Sequence, residues 1–146
     1  MNDLLNSLIA MRDRPLAEIQ QQLSASDSQV ESGFGYGNLQ QLTKVHNPDA
    51  SPAHFYFKDK QLVLIYLGDD AALQHFDAQK LQADLGEAAA VLRSRASKKA
   101  KHYVYPQQGI AFSAERATVA FLEVYPAQTL ETYKSTLYKE PPVFRK

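Results

Sequence analysis

The chain contains no cysteine, which excludes disulfide staples, thiol nucleophiles and zinc sites built on thiolates. No apolar run approaches the roughly 18 residues that a membrane-spanning helix requires. Residues 1–13 have neither the basic start nor the continuous apolar stretch of a signal peptide, so a soluble protein in the cytoplasm, with no membrane partner, is expected. Net charge is also absent: sixteen Lys and Arg balance sixteen Asp and Glu. The balance hides an asymmetry, because residues 1–92 carry six cations against twelve anions and residues 93–146 carry ten against four. Attraction between the halves within the fold, or a basic surface for an acidic partner, follows from such a division. Glycine is scarce too, and three of the six fall in Gly33-Phe34-Gly35-Tyr36-Gly37. No apolar strand precedes this segment and no GxGxxG or GKS/T pattern follows it, so it reads as an irregular edge strand or turn with Phe34 and Tyr36 covering the core.

What is present is ordinary globular composition. A chain of 146 residues can bury one core, whereas two independent domains would each be marginally small. One domain over 1–146 is expected.

Leu4, Leu5, Leu8 and Ile9 recur at helical spacing, and Pro15 opens a second helix with Leu16, Ile19 and Leu23 on one face. Residues 24–32 are polar and rich in serine, which predicts a loop, as does Asn47-Pro48-Asp49-Ala50-Ser51-Pro52. Strands are predicted at His54-Phe55-Tyr56-Phe57 and over 61–67, turning at Lys58-Asp59-Lys60, and Asp69-Asp70 reads as a turn. Asp77 caps a helix with Ala78, Leu81 and Leu85 as its apolar stripe, and Gly86 ends it. An antiparallel meander follows over 88–95, 101–105, 109–113 and 118–125. Thr129 caps a last helix, 129–138, with Leu130, Tyr133 and Leu137 inward, and the tail 143–146 is read as loose. The order of helix, then polar stretch, then aromatic hairpin occurs twice, suggesting tandem units over 14–68 and 77–126. The expected class is α+β: an antiparallel sheet with helices packed on one face.

Leu85-Gly86-Glu87 closing a helix, followed by Tyr103-Val104-Tyr105, Gly109-Ile110-Ala111-Phe112 and Val119-Ala120-Phe121-Leu122, resembles the pattern of the SmpA/OmlA-type outer-membrane assembly lipoproteins. Tandem copies of a similar unit make up the beta-lactamase inhibitor protein. The resemblance covers 77–126 and implies a scaffold that binds proteins without catalysis. The chain departs from the lipoproteins in having no lipid-bearing cysteine, and no functional residue carries over.

Alternation along β-strands puts Leu122 and Val124 on one face and Phe121, Glu123 and Tyr125 on the other. Arg93, Arg95, Lys101, Tyr103 and Tyr105 share parity in their own strands. Together these eight residues form the expected partner-binding face, since Tyr and Arg bury large area while keeping a hydrogen-bonding end. The partner would be another protein or a second copy of the chain. Two further readings come from other residues. His102 and Glu123 form a possible cross-strand acid-base pair, the basis for a small enzyme or ligand pocket. The run from Arg93 to Lys101 holds five cations in nine residues, a pattern that binds nucleic-acid backbones; the neutral chain and the lack of an RNP-type motif count against it. His46, His54, His75 and His102 show no HxH or HExxH spacing, so neither a metal nor a cofactor is expected.

Overall fold

A computed structural model of the chain describes residues 3–14, 18, 21, 29–46 and 51–141. Eight strands form one antiparallel sheet: β1 (Gln29–Tyr36), β2 (Leu39–His46), β3 (His54–Lys58), β4 (Gln61–Leu67), β5 (Ala90–Arg93), β6 (Lys101–Tyr105), β7 (Ile110–Glu115) and β8 (Thr118–Val124). Their order is β1-β2-β3-β4-β8-β7-β6-β5, so two four-stranded meanders join through their last strands. At the join Ile65 faces Val124, Tyr66 faces Glu123 and Leu67 faces Leu122. The helices whose bounds fall among the described residues are α1 (Asp3–Asp13), α2 (Asp70–Leu73), α3 (Ala78–Leu85) and α4 (Leu130–Ser135).

Local chemistry explains most boundaries. The Asp77 carboxylate accepts from the amides of Gln79 and Lys80 at 2.9 and 3.0 Å, satisfying donors that the first turn of α3 leaves unpaired. Thr129 does the same for α4 through the Thr132 amide at 3.1 Å. Asp59 and Lys60 both take positive φ, 50° and 67°, the geometry whose twist matches a tight hairpin.

The sheet is covered on both sides. Leu5, Leu8 and Met11 of α1, Leu73 of α2 and Leu81 and Leu85 of α3 pack with Phe55, Ile65, Phe112 and Leu122; each fully buried Leu or Phe adds about 1.5–3 kcal/mol. Arg12 fastens α1 to this layer by donating to the carbonyls of Gln108 at 2.7 Å and of Gly109 and Tyr125 at 3.3 Å. The opposite face holds a second cluster, in which Tyr133 and Leu137 cover Leu64, Val104, Ala111 and Tyr125. The expectation of helices on one face is therefore corrected: α4 packs on the other, because its inward residues meet a sheet whose two faces are both apolar. At the far end of this segment the Asn38 amide donates to the Thr136 carbonyl at 2.8 Å. Gly37 permits that approach, since a Cβ there would lie 2.2 Å from the Leu137 carbonyl oxygen.

Several local expectations also change. The predicted loop 24–32 gives way to strand from Gln29, and β2, Leu-Gln-Gln-Leu-Thr-Lys-Val-His, is a strand that its polar composition hid. Asp69 is not part of a bare turn but accepts from the Ala72 amide at 3.0 Å and caps α2. The helix predicted over 16–23 and the loop over 47–52 lie mostly outside the described residues, and the tail 143–146 lies wholly outside them. Among the described residues no helix is long and apolar enough to cross a membrane.

Candidate functional site

Tyr36 ends β1, four strand positions from β8, which in a flat sheet would be about 19 Å away. Yet its hydroxyl donates to Oε2 of Glu123 on β8, so the sheet curls strongly toward the α4 side. Register slips interrupt the ladders along this curl, twice between β1 and β2, between Glu31 and Phe34 and between Phe34 and Tyr36, and once each in β3–β4 and β7–β8. Such bulges increase local bend and twist. Arg95, just past the opposite edge strand β5, closes the curl by donating from Nη2 to the Tyr36 hydroxyl at 2.7 Å.

Inside the curl lies a continuous polar chain. Glu123 and His102 are only 2% and 3% exposed. Tyr133 donates to Oε1 of Glu123, and its oxygen lies 2.5 Å from His102 Nε2. His102 Nδ1 lies 2.7 Å from Ser113 Oγ, the Ser94 hydroxyl donates to Ser113 at 2.8 Å, and the Ala96 amide donates to Ser94 at 3.0 Å. One assignment uses every hydrogen once. Ser113 donates to Nδ1, the imidazole donates from Nε2 to Tyr133, and Tyr133 donates to the carboxylate. All these bonds point toward Glu123, and from the other side Arg95 and Tyr36 point there too.

The electrostatics follow from this arrangement. Burial opposes ionisation of Glu123, but His102, with its Nε2 3.5 Å from Oε1, and the two phenol donors outweigh it and hold the carboxyl below the usual range. Burial, the adjacent carboxylate charge and the bond to it push the Tyr133 phenol far up, and the Tyr36 phenol well up. Burial disfavours the Arg95 cation, but Tyr36 and Glu123 more than offset this and raise its pKa. Glu123 is thus an ionised buried carboxylate whose counter-charge, Arg95, sits one phenol away.

Above Glu123 the guanidinium carbon of Arg95 lies 4.5 Å from the ring centres of both Tyr36 and Phe121 and 5.8 Å from that of Tyr66. Tyr56 and Tyr66 pack against Tyr36 at 5.5 and 5.8 Å.

The eight residues expected to form one contact face are divided between the two faces and the rim. Phe121, Glu123 and Tyr125 share the curled-in face, as alternation predicts. Tyr103 and Tyr105 do not join them, because register pairs Tyr103 with Phe112 and Phe112 with Leu122. Tyr103 therefore stacks on Phe112 at 5.1 Å on the α1–α3 side, and Tyr105 donates there to the Gly86 carbonyl at 3.1 Å. The expectation of an open aromatic face is corrected as well: Tyr105, Phe121, Glu123 and Tyr125 are buried, and the Tyr125 hydroxyl donates to the Ile110 carbonyl at 3.1 Å. Arg93 and Lys101 are exposed and lie opposite each other across β5 and β6; Arg93 also meets Glu140 at 3.3 Å.

His102 and Glu123 do come together, joined through Tyr133. The crevice that reaches them, bounded by Tyr138, Leu137 and Arg95, offers only about 10 Å³, room for one water at most. Ser94, Ser113, Tyr36 and Tyr133 complete the network and were not legible as site residues. The one signal for them is polarity out of place, as with Ser113 in the apolar strand Ile-Ala-Phe-Ser-Ala. Among the described residues no group of three or more His, Asp or Glu could hold a metal ion. Comparison with protein-family models, with curated proteins and with solved structures finds no match for this chain.

Proposed function

We propose that the protein is a non-catalytic binding module that captures an extended acidic segment of a protein partner along the outer edge of β5. The observation that carries this reading is the edge itself. β5 ends the sheet, exposes Val91 to 52%, and borders a depression of about 560 Å³ lined by Leu92, Arg93, Lys98, Lys101 and Pro141 among others. No further strand lies beside β5 among the described residues, and such an edge offers main-chain donors and acceptors to an added strand, with the Arg93 carbonyl at its end already accepting from the Tyr138 hydroxyl at 2.9 Å. The surrounding cations favour acidic side chains on that strand and speed its approach. The buried His102–Glu123 pair supports the same reading, since each group already spends its hydrogen bonds inside the fold and has no room for a substrate.

A fluorescently labelled peptide of alternating valine and glutamate, titrated with the protein, tests this. Saturable polarisation that weakens with salt, and at least about tenfold weaker binding by Lys98→Glu/Lys101→Glu, is expected. No saturable binding, or equal binding by the double variant, would overturn it. So would tighter binding of a single-stranded oligonucleotide under the same conditions, which would assign the rim to nucleic acid.

A further inference from the structure

We propose that the rings of Tyr36, Tyr66 and Phe121 above Glu123 form a receptor for a guanidinium group, which Arg95 fills as a built-in occupant and which an arginine side chain of another molecule can fill in its place. This goes beyond the β5 edge and does not depend on it.

The walls and the occupant belong to different parts of the fold. Tyr36, Tyr66 and Phe121 stand on β1, β4 and β8, each held in the strand ladder. Arg95 stands on the connection between β5, which ends at Arg93, and β6, which begins at Lys101. Its departure breaks no strand pairing. That connection is fastened by its own serines, with the Ala96 amide on Ser94 and the Ala100 amide on Ser97 at 3.1 Å. Arg95 as a whole remains exposed although its guanidinium is sunk among the rings, so the mouth of the receptor opens to solvent.

The chemistry selects the ligand. Ring faces attract any cation, and more strongly when it is desolvated. The Tyr36 oxygen, having given its hydrogen to Glu123, presents a lone pair that already accepts from Arg95 Nη2. A guanidinium supplies that donor and a flat face for the rings at once; a quaternary ammonium supplies no donor, and an ammonium no flat face. The ionised Glu123 behind Tyr36 adds the counter-charge.

Arg95→Ala empties the receptor. Amide chemical-shift titration of this variant with N-acetyl-arginine amide should show saturable shifts centred on Tyr36, Tyr66 and Phe121, with none for the uncharged citrulline analogue. The parent chain should bind at least about tenfold more weakly, since its own arginine competes at an effective concentration in the millimolar range. Absence of saturation in a folded Arg95→Ala, or equal response to citrulline, would overturn the proposal. Arg95→Gln, which keeps the stem and a donor, serves if the alanine variant does not fold. Failure of both to fold would also overturn it, since Arg95 would then be a fixed structural pin.

Discussion

Replacing Tyr133 with Phe removes one oxygen and almost no volume, and it cuts the polar chain at its centre. The Glu123 carboxylate loses a donor to Oε1 and the His102 Nε2 hydrogen loses its acceptor. A hydrogen bond to a charged group contributes about 1.5–3 kcal/mol, and a buried polar group left unpaired costs about 1–3 kcal/mol. Nε2 lies 3.5 Å from Oε1 and can close part of the gap, so a net loss of about 2–4 kcal/mol is expected. Urea unfolding at neutral pH followed by circular dichroism measures it, with the midpoint falling and the slope unchanged. A cycle with Glu123→Gln sharpens the test. Because both variants disturb one network, the double variant should lose at least about 1 kcal/mol less than the sum of the singles. A loss under about 0.5 kcal/mol, or strict additivity, would refute the directional chain and reduce Tyr133 to a packing residue.

Glu123 also sets an acid response. Its folded-state pKa is lowered, so its stabilisation is complete above the ordinary carboxylate value, about 4.3, and is lost as pH falls below it toward the depressed one. The stability gap between the parent chain and Glu123→Gln should therefore shrink between pH 7 and pH 3, and a constant gap would contradict the assignment. Gly109 has φ of 69°, and a Cβ there would fall 2.0 Å from the Tyr125 carbonyl oxygen; Gly109→Ala should lower stability by about 2–4 kcal/mol in the same unfolding assay. Asp77→Ala removes the cap of α3 and should cost about 1 kcal/mol, with faster amide exchange confined to the first turn of that helix.

Much of the second meander was legible because its signals are local. Asp77 and Gly86 mark the ends of α3, Lys101–Tyr105 coincides with β6, and alternation places Phe121, Glu123 and Tyr125 together. The first meander was less legible: β2 is carried by neighbours on both sides rather than by its own Gln-Gln-Leu-Thr-Lys composition. Glu123 was singled out from sequence, as part of a contact face and for a possible contact with His102, but none of the groups that bind its two oxygens could be named in advance.

By itself the sequence determined the α+β class, the caps at Asp77 and Thr129, the tight hairpin at Asp59-Lys60 and the two-sided character of β8. These depend on residues a few positions apart, whose geometry the backbone sets directly. Only the tertiary structure decided which strands lie side by side and in what register. A one-residue offset between strands exchanges every side chain between faces, and that is why Tyr103 faces α1–α3 while Phe121 faces Arg95. The curl that brings Tyr36 of β1 to Glu123 of β8, and Arg95 to Tyr36, arises from bulges and long-range packing that no local pattern encodes.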